Sequence, residues 1–294
     1  MLSPGAALPT VATLDITAAE YHRIRDLLLE MTGIALGASR RTLVVARLGR
    51  RVRALGLQTF SEYCDHLATA DPEGHERQEL LNCLTTHETR FWREPHHFDF
   101  IRHTLVPAWQ ARATRGGSRR IRVWSAGCST GEEPYSLAIT LLEALGTPLR
   151  FDLAILATDI DTAVLETARR GVYPLARLGA QPQLRLRRFF LRGHGASVGQ
   201  VRVRPEVRSL VTFRALNLAA ARWPLRRSFD VICCRNVIIY FDRPTQERVC
   251  AHLLTQLAPG GHLLLGHSES LGGLRDLATP IGPTIYQANR DGSR

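Results

Sequence analysis

The residues with the most chemical content follow two short apolar runs. The first run, Ile121-Arg-Val-Trp-Ser125, leads into SAGCSTGEEPYS (125–136), a glycine-containing turn whose Pro134 suits a first helical turn. Its spacing, Gly127-x-x-x-Gly131, is not G-x-G-x-x-G, and the helix would open with Glu132 and Glu133. Two carboxylates there repel the pyrophosphate that such helix N-termini attract, which disfavours a nicotinamide or flavin dinucleotide. A cofactor with an adenosine end, no phosphate and a net positive charge suits the turn, and S-adenosylmethionine, with its sulfonium and ammonium, has those properties. The second run ends in Ala157-Thr-Asp-Ile-Asp161, with Asp159 lying 28 residues beyond Gly131. A carboxylate at that strand tip could accept both ribose hydroxyl protons, or could cap the helix starting near Asp161.

A third run leads into CRNVIIYFD (234–242). Amino-directed methyltransferases often carry a polar-Pro-Pro-aromatic turn here, whose carbonyls hold a neutral amine; this chain has Arg235-Asn236-Val237-Ile238 and no proline. A carboxylate acceptor is already ionised at neutral pH and needs orientation and exclusion of water rather than a general base. His96-His97, followed by His103, is the nearest approach to a metal cluster, but adjacent helical histidines diverge by about 100° and no acid sits at i+4 spacing, so no metal site is expected. His267 reads as a hydrogen-bonded histidine at a strand end. The 38 basic residues are all arginine, which excludes Schiff-base, pyridoxal-phosphate and P-loop lysine chemistry.

The elements that must hold these residues form two groups. From 15 to 84 the pattern is helical. Thr17-x-x-Glu20 is a capping box before the stripe Ile24, Leu27, Leu28 and Met31, and Gly33 is a stop. A second helix runs from about Ser39 to Leu55, a third is capped by Thr59-x-x-Glu62, and a fourth spans roughly 75–84. The second buries Val44, Leu48, Val52 and Leu55, and carries Arg40, Arg47, Arg50 and Arg51 opposite, with no acid between them. Residues 85–117 read as a linker and connecting helix. From 118 to 290 the apolar runs at 121–125, 153–157, 229–234 and 262–266 alternate with helical patterns near 134–145, 161–170 and 244–257, which predicts an α/β fold with a doubly wound, mainly parallel sheet. An arginine-rich stretch at about 171–214 interrupts it and reads as a small β-rich insertion. The six cysteines show no C-x-x-C pair and read as reduced core thiols, with Cys233 and Cys234 on opposite strand faces. No apolar run is long enough to cross a bilayer and the N-terminal residues lack a signal-peptide pattern, so a cytoplasmic location is expected. The net charge of +11 suggests an acidic partner. A nucleic-acid methyltransferase is one alternative, although no stacking platform of interleaved aromatic and basic residues is present. A non-catalytic cofactor-binding module is another.

TTHETRFWREPHHF (85–98), VWSAGCSTGEEPYS (123–136), LATDIDTAVLETAR (156–169), RNVIIYFD (235–242) and LLGHSES (264–270) resemble, in order and spacing, the chemotaxis protein methyltransferases of the CheR family. The likeness runs from about 15 to 290. It implies a class I methyltransferase-like domain with a helical N-terminal domain and an inserted β-subdomain. The implied activity is S-adenosylmethionine-dependent methylation of chemoreceptor glutamates, giving methyl esters and S-adenosylhomocysteine without a metal. The implied partners are the glutamate-bearing helices of a receptor's cytoplasmic domain, met by a monomer with neither nucleic acid nor membrane insertion, and a subdomain of this kind can also dock a receptor C-terminal peptide. Carried over by residue, Thr89 and Arg93 line the cofactor pocket with Arg93 near the transferred methyl, and Gly127 belongs to the cofactor turn. Glu133 meets the ammonium, Asp159 the ribose, and Asn217-Leu218 flank the adenine. Arg235 and Asn236 belong to the cofactor-binding set and, with Tyr240, form the floor of the acceptor site. His87 stands where the family usually has asparagine. The stripe of Arg40, Arg47, Arg50 and Arg51 is expected to steer the enzyme along acidic receptor helices.

Overall fold

The computed structural model describes residues 14–146, 148–225, 228–274 and 276–289, in two compact units. One unit comprises the described residues up to Met31 together with Leu36–Leu84. It holds α1 (Ala18–Thr32) up to Met31, α2 (Arg41–Ala54), α3 (Phe60–Thr69) and α4 (His75–Leu84). The capping box forms as read: the Glu20 N–H donates to Thr17 Oγ1 (3.2 Å) and the Thr17 N–H to Glu20 Oε2 (2.7 Å). The Glu62 N–H likewise donates to Thr59 Oγ1. Ile24, Leu28, Val44, Leu48, Val52, Phe60 and Leu80 make the core.

The arginine stripe departs from expectation. Arg51 donates through Nε and Nη2 to both oxygens of buried Glu76 on α4, and the Tyr63 hydroxyl completes the same carboxylate at 2.8 Å. Arg47 donates to the Leu84 carbonyl (3.2 Å). Scanning α2 alone for i,i+4 acids misses Glu76 because that partner comes from another helix. Arg40 and Arg50 are exposed.

The other unit holds residues 32–35 and 85–289. A helical passage, α5 (Pro95–Phe100), a π turn (Ile101–Leu105) and α6 (Val106–Thr114), leads into β1 (Arg120–Ala126). Then follow α7 (Glu132–Leu145), β2 (Asp152–Asp159), α8 (Thr162–Arg170), β3 (Val172–Pro174), α9 (Gln183–Phe189), β4 (Phe190–Arg192), β5 (Gln200–Val203), α10 (Pro205–Arg208) and β6 (Val211–Ala215). The chain ends its described part with β7 (Phe229–Cys234), α11 (Arg243–Gln256), β8 (Leu257–Leu265), β9 (Ala278–Gly282) and β10 (Ile285–Ala288).

The main sheet has the order β6-β2-β1-β7-β8-β10-β9, with the first five strands parallel and the last two antiparallel. Both faces are buried, which accounts for the unbroken apolar runs. Val123, Cys233 and Leu264 pack on one side, and Trp124, Cys234 and Leu265 on the other, so the two adjacent cysteines do face opposite ways. The strand order reverses between β1 and β7, the switch point at which open α/β sheets bind ligands.

The inserted subdomain is a separate antiparallel sheet, β3-β5-β4, with α9 against it. It is shorter than expected. Val211-Thr-Phe213 lies in β6, which extends the main sheet beside β2, because a β-rich composition cannot say which sheet a strand joins. The antiparallel edge formed by β9 and β10 carries no clear strand pattern in the sequence, since both runs are short and β9 contains Pro280 and Gly282.

Candidate active site

The turns after β1 and β7 meet at the switch point. Gly127 has φ +81°, and a Cβ there would lie 2.3 Å from Val237 Cγ2, so only glycine lets the two turns close. The N–H groups of Gly127 and Cys128 both donate to the Thr158 carbonyl of β2 at 2.8 Å, which ties the turn to the neighbouring strand tip. The two glutamates opening α7 diverge. Glu132 accepts from Thr130 Oγ1 (2.6 Å), whereas Glu133 accepts from Ser125 Oγ (2.6 Å) and from Arg235 Nη1 (3.0 Å). Burial pushes the Glu133 carboxyl up, and Arg235 works against that shift.

Asp159 ends β2 with 7% of its surface exposed. Its Oδ2 accepts the Ser129 N–H (2.8 Å) and its Oδ1 the Asp161 N–H (3.0 Å). Burial raises its carboxyl, and those two N–H groups oppose the rise. Asn217 follows Leu216, whose N–H bonds the Asp159 carbonyl, and its Oδ1 accepts the Ala219 N–H; Leu218 is buried in the core beside Trp124.

On the other side of the switch point, Trp92 and Glu94 both take left-handed backbone angles, φ 50° and 56°. Such angles in non-glycine residues cost energy and persist only when neighbours enforce them. Here Ser136 Oγ accepts the Trp92 N–H and Thr140 Oγ1 the indole Nε1–H, both from α7. The contorted turn presents the Arg93 carbonyl to Arg235 Nη2. The Arg93 guanidinium donates to the Glu88 carbonyl (2.8 Å). Buried Arg235 thus joins Arg93 and Glu133, and its Nη2 also lies 3.5 Å from Glu94 Oε2. Thr89 lends its carbonyl to Arg177, and Tyr240 is half-buried with its carbonyl bonded to the Ala35 N–H.

Several participants were not legible in the motifs. Asp161 caps α8 through the Ala163 and Val164 N–H groups, and its Oδ2 lies 2.7 Å from His87 Nε2 and 3.0 Å from Thr85 Oγ1. Burial would raise the Asp161 carboxyl, but His87 and its other donors hold it below the ordinary value. His87 is therefore engaged through Nε2 with an aspartate rather than standing free. The D-x-D at the strand end was the available signal. Glu94 and Glu269 had none, because each stands among polar sequence neighbours that read as a surface loop. Glu94, His96 and His97 each offer a ligand atom within 4.8 Å of the others, a grouping that the i+4 test overlooked because Glu94 precedes the histidines. A cation there would have to sit beside the Arg235 guanidinium. His267 Nδ1 lies 3.1 Å from Glu94 Oε1.

Family models identify the lineage of this arrangement: the SAM-binding domain of CheR methyltransferases matches residues 87–286, and their all-alpha domain matches residues 19–85. The chain belongs to the CheR methyltransferase family. It is 46% identical to chemotaxis protein methyltransferase 2 of Pseudomonas aeruginosa over 272 residues, covering 92% of this chain and 93% of that one. It is 43% identical to the chemotaxis protein methyltransferase of Klebsiella aerogenes, covering 98% and 96%. The Escherichia coli chemotaxis protein methyltransferase is 42% identical, covering 95% and 93%. This family member is a SAM-dependent methyltransferase of chemotaxis. The residues at the switch point suit such a cofactor. Glu133 and Asp159 are buried carboxylates, and Ser129 Oγ and Asn236 Oδ1 are buried polar atoms without a partner among the described residues. A cationic ligand bearing hydroxyl groups would answer all four.

Proposed function

We propose that the chain methylates glutamate side chains of chemoreceptor cytoplasmic domains, forming methyl esters, and that it acts in the cytoplasm as a monomer without a metal. The observation that carries this reading is the wall after β7. An amine-directed site needs free carbonyl acceptors there, whereas this chain has the buried guanidinium of Arg235, joined to the Arg93 carbonyl, and a peptide whose N–H groups are bound to Glu269. S-adenosylmethionine, when bound, supplies an electrophilic methyl group. Glu133 and Asn236 hold the ammonium, Asp159 the ribose hydroxyls, Asn217 and Leu218 the adenine, and Gly127, His87 and Thr89 shape the pocket. An acceptor carboxylate is ionised at neutral pH, so no residue need remove a proton. Arg93 and Tyr240 orient that carboxylate toward the methyl and help to exclude water.

Incubation with labelled S-adenosylmethionine and receptor-bearing membranes tests the reaction, because carboxyl esters release methanol in mild alkali and N-methyl groups do not. Base-stable label on the receptor would overturn the glutamate assignment. Arg93→Ala and Tyr240→Phe should lower kcat while leaving S-adenosylhomocysteine affinity within a few-fold. A loss of affinity accounting for the whole loss of activity would make them cofactor-holding residues instead.

A further inference from the structure

Glu269 lies in the polar segment after β8 and is 6% exposed. Its two oxygens accept four backbone N–H groups: Oε2 those of Asn236 (2.8 Å) and Gly266 (2.6 Å), Oε1 those of Val237 (2.8 Å) and Ile239 (3.3 Å). Three of the four belong to the turn after β7, and the fourth to the end of β8, so one carboxylate couples the tips of two neighbouring parallel strands. Asn236 has φ +59°, a left-handed angle uncommon outside glycine that asparagine tolerates better than most residues. A Cβ on Gly266 would lie 2.6 Å from Asn236 Nδ2 and 2.8 Å from Glu269 Oε2, so the close approach is built into both strands.

From this we infer that Glu269 is a positioning residue: its carboxylate folds residues 235–240 into the single shape that presents Arg235, Asn236 and Tyr240 to the reacting groups. The inference rests on the reading of those three residues given above. A carboxylate is suited to the task because it offers acceptors only; an amide would turn an NH2 toward two of the four N–H donors whichever way it flipped. Residues that hold a site within a fraction of an ångström act strongly on rate, about a hundredfold for a 1 Å misplacement.

The test compares wild type, Glu269→Gln and Gly266→Ala as full-length chains, using three readouts. The first is kcat and KM for receptor methylation, the second S-adenosylhomocysteine affinity, and the third hydrogen–deuterium exchange resolved to the amides of residues 236, 237, 239 and 266. Glu269→Gln should lower kcat by roughly ten- to a hundredfold. Its cofactor affinity should change less than tenfold, and exchange should accelerate at those amides while the rest of the sheet keeps its protection. Gly266→Ala, whose added Cβ crowds Asn236 and Glu269 Oε2 at the same junction while keeping the carboxylate in the chain, should reproduce the kinetic pattern. Unaltered exchange at the four amides in Glu269→Gln overturns the inference whatever the acceptor. So does a general rise in exchange with unchanged kcat, the mark of a merely structural role. Absence of base-labile label in the wild type would instead defeat the glutamate reading and leave the exchange result to decide on Glu269.

Discussion

Replacing Asp159 with asparagine probes the cofactor assignment at the residue where two roles coincide. Both carboxylate oxygens already accept backbone N–H groups, from Ser129 at 2.8 Å and Asp161 at 3.0 Å. An amide of the same shape can accept only one of them, and leaves the other buried N–H facing an NH2. That costs about 1–3 kcal/mol of folding stability. In a unit of this size the melting temperature should fall by roughly 2–4 °C per kcal/mol. If Asp159 also binds the ribose, one charge-assisted hydrogen bond is lost on the ligand side, about 1.5–3 kcal/mol, or roughly a tenfold to hundredfold weaker affinity. The two effects separate by titration calorimetry with S-adenosylhomocysteine well below the variant's melting temperature, where the folded fraction is complete. Asp159→Ala should show a larger loss of stability, with both N–H groups orphaned, and a similar loss of affinity. A folded Asp159→Asn protein that binds S-adenosylhomocysteine as tightly as wild type would remove this residue from the site.

Burial, with a smaller contribution from Arg235, lowers His97 to about 3, so the imidazole is neutral in the folded chain and protonates first in the unfolded one. Below the ordinary histidine value of 6.5, stability should therefore drop by about 1.4 kcal/mol for each pH unit down to the folded pKa, and His97→Gln should flatten the acid limb by one proton in chemical denaturation. Arg51→Met should destabilise the helical unit by about 2 kcal/mol, less than for a fully buried pair because Arg51 is partly solvated, while Arg40→Ser and Arg50→Ser should leave thermal unfolding unchanged. If Arg40 and Arg50 steer the receptor, that double variant should lower kcat/KM at low salt and flatten its decline with added salt; the wild-type slope in the variant would mark a plain solvated face. The subdomain strand β4 is an edge strand with Leu191 exposed, and a receptor tail peptide, if it docks on the subdomain, would add there as a further strand. Pull-down with that peptide should fail once residues 172–203 are exchanged for a short linker, and equal retention by both proteins would end the idea.

Local chemistry accounts for what could be read along the chain. The capping box at Thr17 and Glu20 is satisfied within one turn, and the strands of a sheet buried on both faces need unbroken apolar runs, so 121–125, 153–157, 229–234 and 262–266 identified themselves. The glycine turn before Glu133 and the aspartate at the next strand tip were legible for the same reason: strand order alone brings them to one end of the sheet. What needed the tertiary structure were the relations between distant residues. No local pattern assigns Val211–Phe213 to the main sheet rather than to the insertion, because the partner strand lies more than fifty residues earlier. Arg51 looks uncompensated until α4 brings Glu76 to it, and His87 looks like a free polar group until Asp161 reaches it across the site. Glu269 is the clearest instance. Its sequence neighbours, serines and a histidine, suggest a surface loop, and only the close approach of the turns after β7 and β8 makes it the buried acceptor of four N–H groups.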